Sequence, residues 1–102
     1  MPEILQTERF RDWLVRLNDR LGAARVVARV ARMAEGNLGD VKPVGEGVNE
    51  TRIDFGPGYR LYFANKGKAL IVLLAGGDKK SQAKDIKSAK ALWKAWKEEN
   101  DG

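Results

Sequence analysis

Seven consecutive apolar residues, 69–75, constrain this chain more than any other feature. The run is far too short for a membrane-spanning helix, which needs about 20 such residues. It is preceded by Asn65-Lys66-Gly67 and followed by Gly76-Gly77, both turn signals, so it reads as a strand over 68–75. Beyond Lys68 it is apolar on both sides, and a strand of that kind has to be covered on both faces. It is therefore expected at the centre of a sheet, closed by Gly76 and Gly77.

The rest of the chain supplies the neighbours. Upstream, 41–45, 48–55 and 59–65 read as three more strands, separated from one another and from the central one by GEG (45–47), GPG (56–58) and NKG (65–67). Loops that short join antiparallel neighbours. Alternation then sorts the faces. Thr51, Ile53 and Phe55 share one side with Tyr59, Leu61 and Phe63, while Glu50, Arg52 and Asp54 share the other with Arg60 and Tyr62.

Before residue 40 the period is helical. Thr7 suits a helix N-cap, and Phe10, Trp13, Leu14, Leu17 and Leu21 follow on one face, with a break expected at Gly22. A second helix is expected over 23–34, with Val26, Val27, Val30, Ala31 and Ala34 inward and Arg25, Arg29 and Arg32 outward. Gly36 and Asn37 end it. Joined at one glycine, the two should form a helical hairpin. The tail, 80–99, is helical again. Ile86, Ala89, Trp93 and Trp96 lie on one side, and a basic stripe of Lys80, Lys84, Lys87, Lys94 and Lys97 on another. The two tryptophans are expected in the core rather than at an interface. Residues 3–6 can add an edge strand. The order is β-α-α-β-β-β-β-α, which makes residues 1–102 a single α+β domain: a helical hairpin packed on an antiparallel-rich sheet of four to five strands, with a C-terminal helix.

Composition narrows the chemistry. The chain has no cysteine and no histidine, so disulfides, thiolate metal sites, serine–histidine triads and most zinc sites are excluded, and neither a metal nor a cofactor is expected. Catalysis would fall to Lys, Arg, Asp, Glu, Tyr, Ser or Gln. The net charge of +5 is concentrated in one half. Over 52–97 eleven basic residues stand against Asp54, Asp78 and Asp85, which points to an anionic partner such as nucleic acid. The opening residues, MPEILQTERF, lack the pattern of a signal peptide, so a cytoplasmic location with no membrane partner is expected.

Two clusters carry possible chemistry. Arg52 and Arg60, on one sheet face beside Glu50 and Tyr62, could clamp a phosphate, since guanidinium forks match its oxygens. A tyrosine there could stack on a base. The plain alternative is a solvated polar face. The second cluster is Gly76-Gly77-Asp78-Lys79-Lys80-Ser81-Gln82, a glycine-bearing turn with Lys79 and Lys80 where a helix N-terminus favours anions. If the substrate is RNA, its 2′-hydroxyl is an internal nucleophile and no metal is needed. Arg52 and Arg60 would hold the charge of the phosphorane. The base would be Glu50, or a lysine made less basic by neighbouring cations.

The elements GN-GD-K-VGEGV-E-RI, GPGYR-YF and LL-GGDK-SQ-DI closely resemble the RelE/ParE superfamily of type II toxins, nearest to the HigB-like branch of addiction module killer proteins, over residues 10–96. The resemblance implies a RelE-like toxin fold. It implies a metal-independent mRNA endonuclease that acts on messenger on the ribosome and causes growth arrest. The implied partner is a cognate helix-turn-helix antitoxin, through whose complex alone the toxin meets operator DNA. Carried over by motif, Arg52, Arg60, Lys79 and Lys80 are the catalytic positions, Gln82 assists, and Tyr62 and Glu50 contact substrate. Ribonuclease members often use a C-terminal histidine or tyrosine. Here there is no histidine, and Tyr59 and Tyr62 both lie in the GYRLY strand, so the acid and base stay open. Two alternatives also stay open: a protein-binding toxin such as a gyrase inhibitor, and a decayed toxin that serves only as partner or corepressor of its antitoxin.

Overall fold

A computed structural model describes residues 1–100. The elements are β1 (Glu3–Gln6), α1 (Glu8–Arg16), α2 (Arg20–Ala34), β2 (Asp40–Gly45), β3 (Val48–Ile53), β4 (Tyr59–Lys66), β5 (Leu70–Gly77) and α3 (Gln82–Asn100), in the expected order. One five-stranded sheet runs β1-β5-β4-β3-β2. Its β2–β3, β3–β4 and β4–β5 pairings are antiparallel and its β1–β5 pairing is parallel, so the sheet is mixed.

The helices divide between the two faces. Phe10 of α1 and Val26 and Met33 of α2 pack on Ile53, Tyr59, Leu61, Phe63, Ile71 and Leu73, which form one core. On the opposite face Ala89 and Trp93 of α3 pack on Val48, Tyr62, Ala64, Val72, Leu74 and Ala75, which form a second. β5 is buried along nearly its whole length because it lies between these layers. Trp93 is buried, and Trp96 stacks on it from a partly buried position against the same core.

The first helix pair breaks earlier than its apolar pattern suggests. Thr7 caps α1, its hydroxyl accepting from the Phe10 N–H at 3.1 Å. The helix ends at Arg16, and Asp19 opens α2 by accepting from the Gly22 N–H at 3.0 Å. Gly22 is thus inside α2, and Leu21, counted with the first helix from its spacing, is 69% exposed. A carboxylate three residues before an N–H is a strong helix start and outweighs the apolar period across it. The new register buries Met33 and leaves Val27 and Ala31 exposed. The end of α2 is as expected. Gly36 takes φ +95°, and its N–H and that of Asn37 bond back to the Met33 and Arg32 carbonyls.

A bulge in β5 sets its parity. Tyr62 pairs with Ala75 and Phe63 with Leu73, which leaves Leu74 as the extra residue. The end of β1 is tied to this spot, since Thr7 donates from its backbone to the Leu73 carbonyl and from its hydroxyl to the Leu74 carbonyl. Past the bulge, Gly76 lies against Trp13 of α1 and Gly77 against Asp85 of α3. The two glycines are the last residues of the strand, and what approaches their backbone is this protein's own side chains rather than a ligand.

Candidate functional site

The β3–β4 ladder places Arg52 directly opposite Arg60 and Glu50 opposite Tyr62. All four project from the face that α3 covers, so this is not the open polar face that alternation alone suggests. Glu50 and Tyr62 are fully buried and Arg60 is 6% exposed. Arg52, at the rim, keeps 45% of its side chain in solvent.

Glu50 organises the group. Arg52 Nε donates to its Oε1 at 3.1 Å, Gln82 Nε2 from α3 donates to its Oε2 at 3.0 Å, and Arg60 Nε stands 3.7 Å from that same Oε2. Arg60 Nη1 donates to the Gly58 carbonyl at 2.8 Å, while its Nε and the Tyr62 hydroxyl are the buried polar atoms left without a hydrogen bond. Burial first, and the Glu50 charge second, push the Tyr62 phenol well above its ordinary range. A base cannot reach this ring beneath α3, so the stacking role expected for Tyr62 is withdrawn. Glu50, enclosed and engaged by Arg52 and Gln82, is a holder of arginines rather than an open base.

The guanidinium ends reach a cleft of about 590 Å³ at the β3–β4 turn, lined by Arg29, Asp40, Arg52, Asp54, Arg60 and Lys79 among others. Lys79 thus joins the two arginines there. Lys80 is exposed and lies outside the cleft lining. The first turn of α3 is not an open anion site either. Asp78 already accepts from the backbone N–H groups of Lys80 and Ser81, at 2.9 and 3.1 Å.

Arg29 is the cationic member that the sequence reading missed. It reaches from α2 to the end of β3, where Nη1 donates to Thr51 Oγ1 at 2.6 Å and to the Arg52 carbonyl at 2.8 Å. Thr51 in turn donates to the Leu38 carbonyl. Burial, then the charge of Arg32, shifts the Arg29 guanidinium downward, though an arginine of this kind remains a cation at neutral pH. Nothing local distinguishes Arg29 from Arg25 and Arg32, which share its helix; Arg25 instead lies over the Phe55 ring at 4.8 Å. Tyr59 forms the cleft's other wall and donates to Asp19 Oδ2 at 2.6 Å.

An uncharacterized protein of Haemophilus influenzae is 47% identical to this chain over 90 residues, which span 88% of the chain and 91% of that protein. The chain belongs to that protein's family. No family model matches it. Among the described residues no cluster of carboxylates could hold a metal ion, and no helix is long and apolar enough to cross a membrane. What this member of the family brings together at the cleft is four fixed or flexible cations and two accessible carboxylates, Asp40 and Asp54.

Proposed function

We propose that the chain is a toxin of the RelE/ParE type, with a RelE-like variant of the α+β fold, and that its cleft cuts messenger RNA on the ribosome without a metal. The observation that carries this reading is the convergence of Arg29, Arg52, Arg60 and Lys79 on one cavity. Two of these guanidinium groups share a buried carboxylate, so they are preorganised for charge that develops at a phosphorus centre. In the reaction the ribose 2′-oxygen bonds to phosphorus and the bond to the 5′-oxygen breaks, leaving a 2′,3′-cyclic phosphate. One group takes the 2′ proton and another gives a proton to the departing 5′-oxygen. Asp40 and Asp54, rather than Glu50, are the carboxylates open to a substrate, and Lys79 is the proton donor of the set. Gln82 acts through Glu50. The partner is a helix-turn-helix antitoxin that covers the cleft or α3, and the site of action is the cytoplasm.

The test is expression in bacteria of the intact chain, Arg52→Ala and Arg60→Ala, with message ends mapped during growth. The intact chain should arrest growth and create new RNA ends, and both variants should lose the two effects together. Arg52→Ala is included because its exposed position leaves the fold intact. Equal arrest by all three would overturn the assigned cleft. Arrest with uncut message and signs of DNA damage would turn the reading toward a protein target such as gyrase.

A further inference from the structure

The proposed cleft accommodates the reacting nucleotide, but the largest concentration of charge lies elsewhere. Lys84, Lys87, Lys90, Lys94 and Lys97 all project from α3, and at 3.6 residues per turn they fall within an arc of roughly 140°. The buried residues of the helix, Asp85, Ala89 and Trp93, lie on the opposite side. Between Lys84 and Lys97 the chain has a single acid, Asp85, and it points inward, where the Ser81 hydroxyl donates to it. The one cross-element partner of the stripe is Glu46, 3.5 Å from Lys90. Lysines three and four apart repel one another on a helix, so a face built this way weakens the free helix and gains when a polyanion arrives.

We propose that the outer face of α3 is a track for the sugar–phosphate backbone of RNA beyond the cleft. This rests on the reading of the chain as an RNA-cutting protein and names a second contact for the same substrate. The track is about 20 Å long, thirteen residue steps at the helical rise, enough for several successive phosphates. It begins at the segment that gives Lys79 to the cleft. It ends at a groove of about 470 Å³ lined by Glu46, Lys90, Trp93, Lys94 and Lys97. Its chemistry favours a nucleic acid over an acidic protein. Between the lysines the exposed positions are Ala83, Ala91 and Ala95, and no large apolar or aromatic anchor of the sort that centres a protein interface stands among them. Lysines alone suffice for phosphates, whose contacts are point-like and indifferent to sequence.

The experiment measures binding of a short 2′-O-methyl oligoribonucleotide, which cannot be cut, by fluorescence anisotropy over a series of salt concentrations. It compares the intact chain, Arg52→Ala, and the triple variant Lys84→Gln, Lys87→Gln, Lys94→Gln, with circular dichroism to confirm that the exposed substitutions leave the fold unchanged. The triple variant should bind about tenfold or more weakly, and its slope of log affinity against log salt should be shallower by about 2, near 0.7 for each lost single-strand phosphate contact. A triple variant with the affinity and slope of the intact chain overturns the track. So does one that loses binding to polyglutamate while keeping its affinity for RNA, because that result assigns the face to an acidic protein. The two proposals are separable: growth arrest that survives Arg52→Ala and Arg60→Ala defeats the cleft, whereas only the anisotropy of the triple variant bears on the track.

Discussion

Arg52 and Arg60 face each other across the β3–β4 ladder, where like charges repel. Glu50 reconciles them by meeting both from the covered side of the sheet. Its removal would leave Arg60, almost wholly buried, without a countercharge. Glu50→Ala should therefore cost about 3–5 kcal/mol in urea unfolding, a large part of the stability of a domain of this size. Glu50→Gln should cost less, because an amide oxygen can still accept from Gln82 or Arg52. An alanine variant within about 1 kcal/mol of the intact chain would show that the arginines do not depend on it. In sequence Glu50 resembles any strand glutamate. Its role follows from α3 lying over it, which no spacing within β3 reveals.

Among the elements β5 does the most. Its bulge turns successive glycines to opposite layers, Gly76 beneath Trp13 and Gly77 beneath Asp85, so α1 and α3 dock at adjacent residues of one strand. An added methyl group at either position would enter the space of the packed side chain. Gly76→Ala and Gly77→Ala should each destabilise by about 1–3 kcal/mol through overpacking. In a domain of this length each kcal/mol lowers the melting temperature by about 4–8 °C, which differential scanning calorimetry resolves. Unchanged melting temperatures would mean that the helices sit farther from the strand than described. The central position of β5 was legible because a run apolar on both sides admits few other places. The purpose of its glycines was not, because a glycine that approaches a ligand and one that approaches an indole look the same in sequence.

Across the whole molecule, one hydrogen bond joins the start of α2 to β4. Tyr59 donates to Asp19, which also caps α2. The Tyr59 hydroxyl is pushed up to about 12, by burial first and then by its bond to Asp19. Asp19 is lowered, chiefly by the Tyr59 bond and then by the Gly22 N–H. The signs differ at the two ends of the pH scale. Tyr59 contributes stability that is complete below the unfolded phenol value near 10 and is lost as pH rises toward about 12. Asp19 contributes stability that is present above the ordinary carboxylate range and is lost as pH falls through its lowered folded value. Tyr59→Phe should flatten the alkaline limb of a stability–pH profile and shift the Asp19 titration back toward the ordinary range. Chemical denaturation measured across pH checks both, and a mutant profile that superimposes on that of the intact chain would remove the link.

The sequence by itself determined the elements and their order, the caps at Thr7 and Gly36, the antiparallel hairpins and the central strand, because each depends on residues only a few positions apart. It also marked Arg52, Arg60 and Lys79, through their residue types and alternation. The tertiary structure alone decided that α3 closes over Glu50 and Tyr62, that Arg29 crosses from α2 to the end of β3, and that Lys80 stays outside the cleft. These outcomes depend on which layer covers which face, and that is settled by contacts between residues far apart in the chain, where no period carries the information.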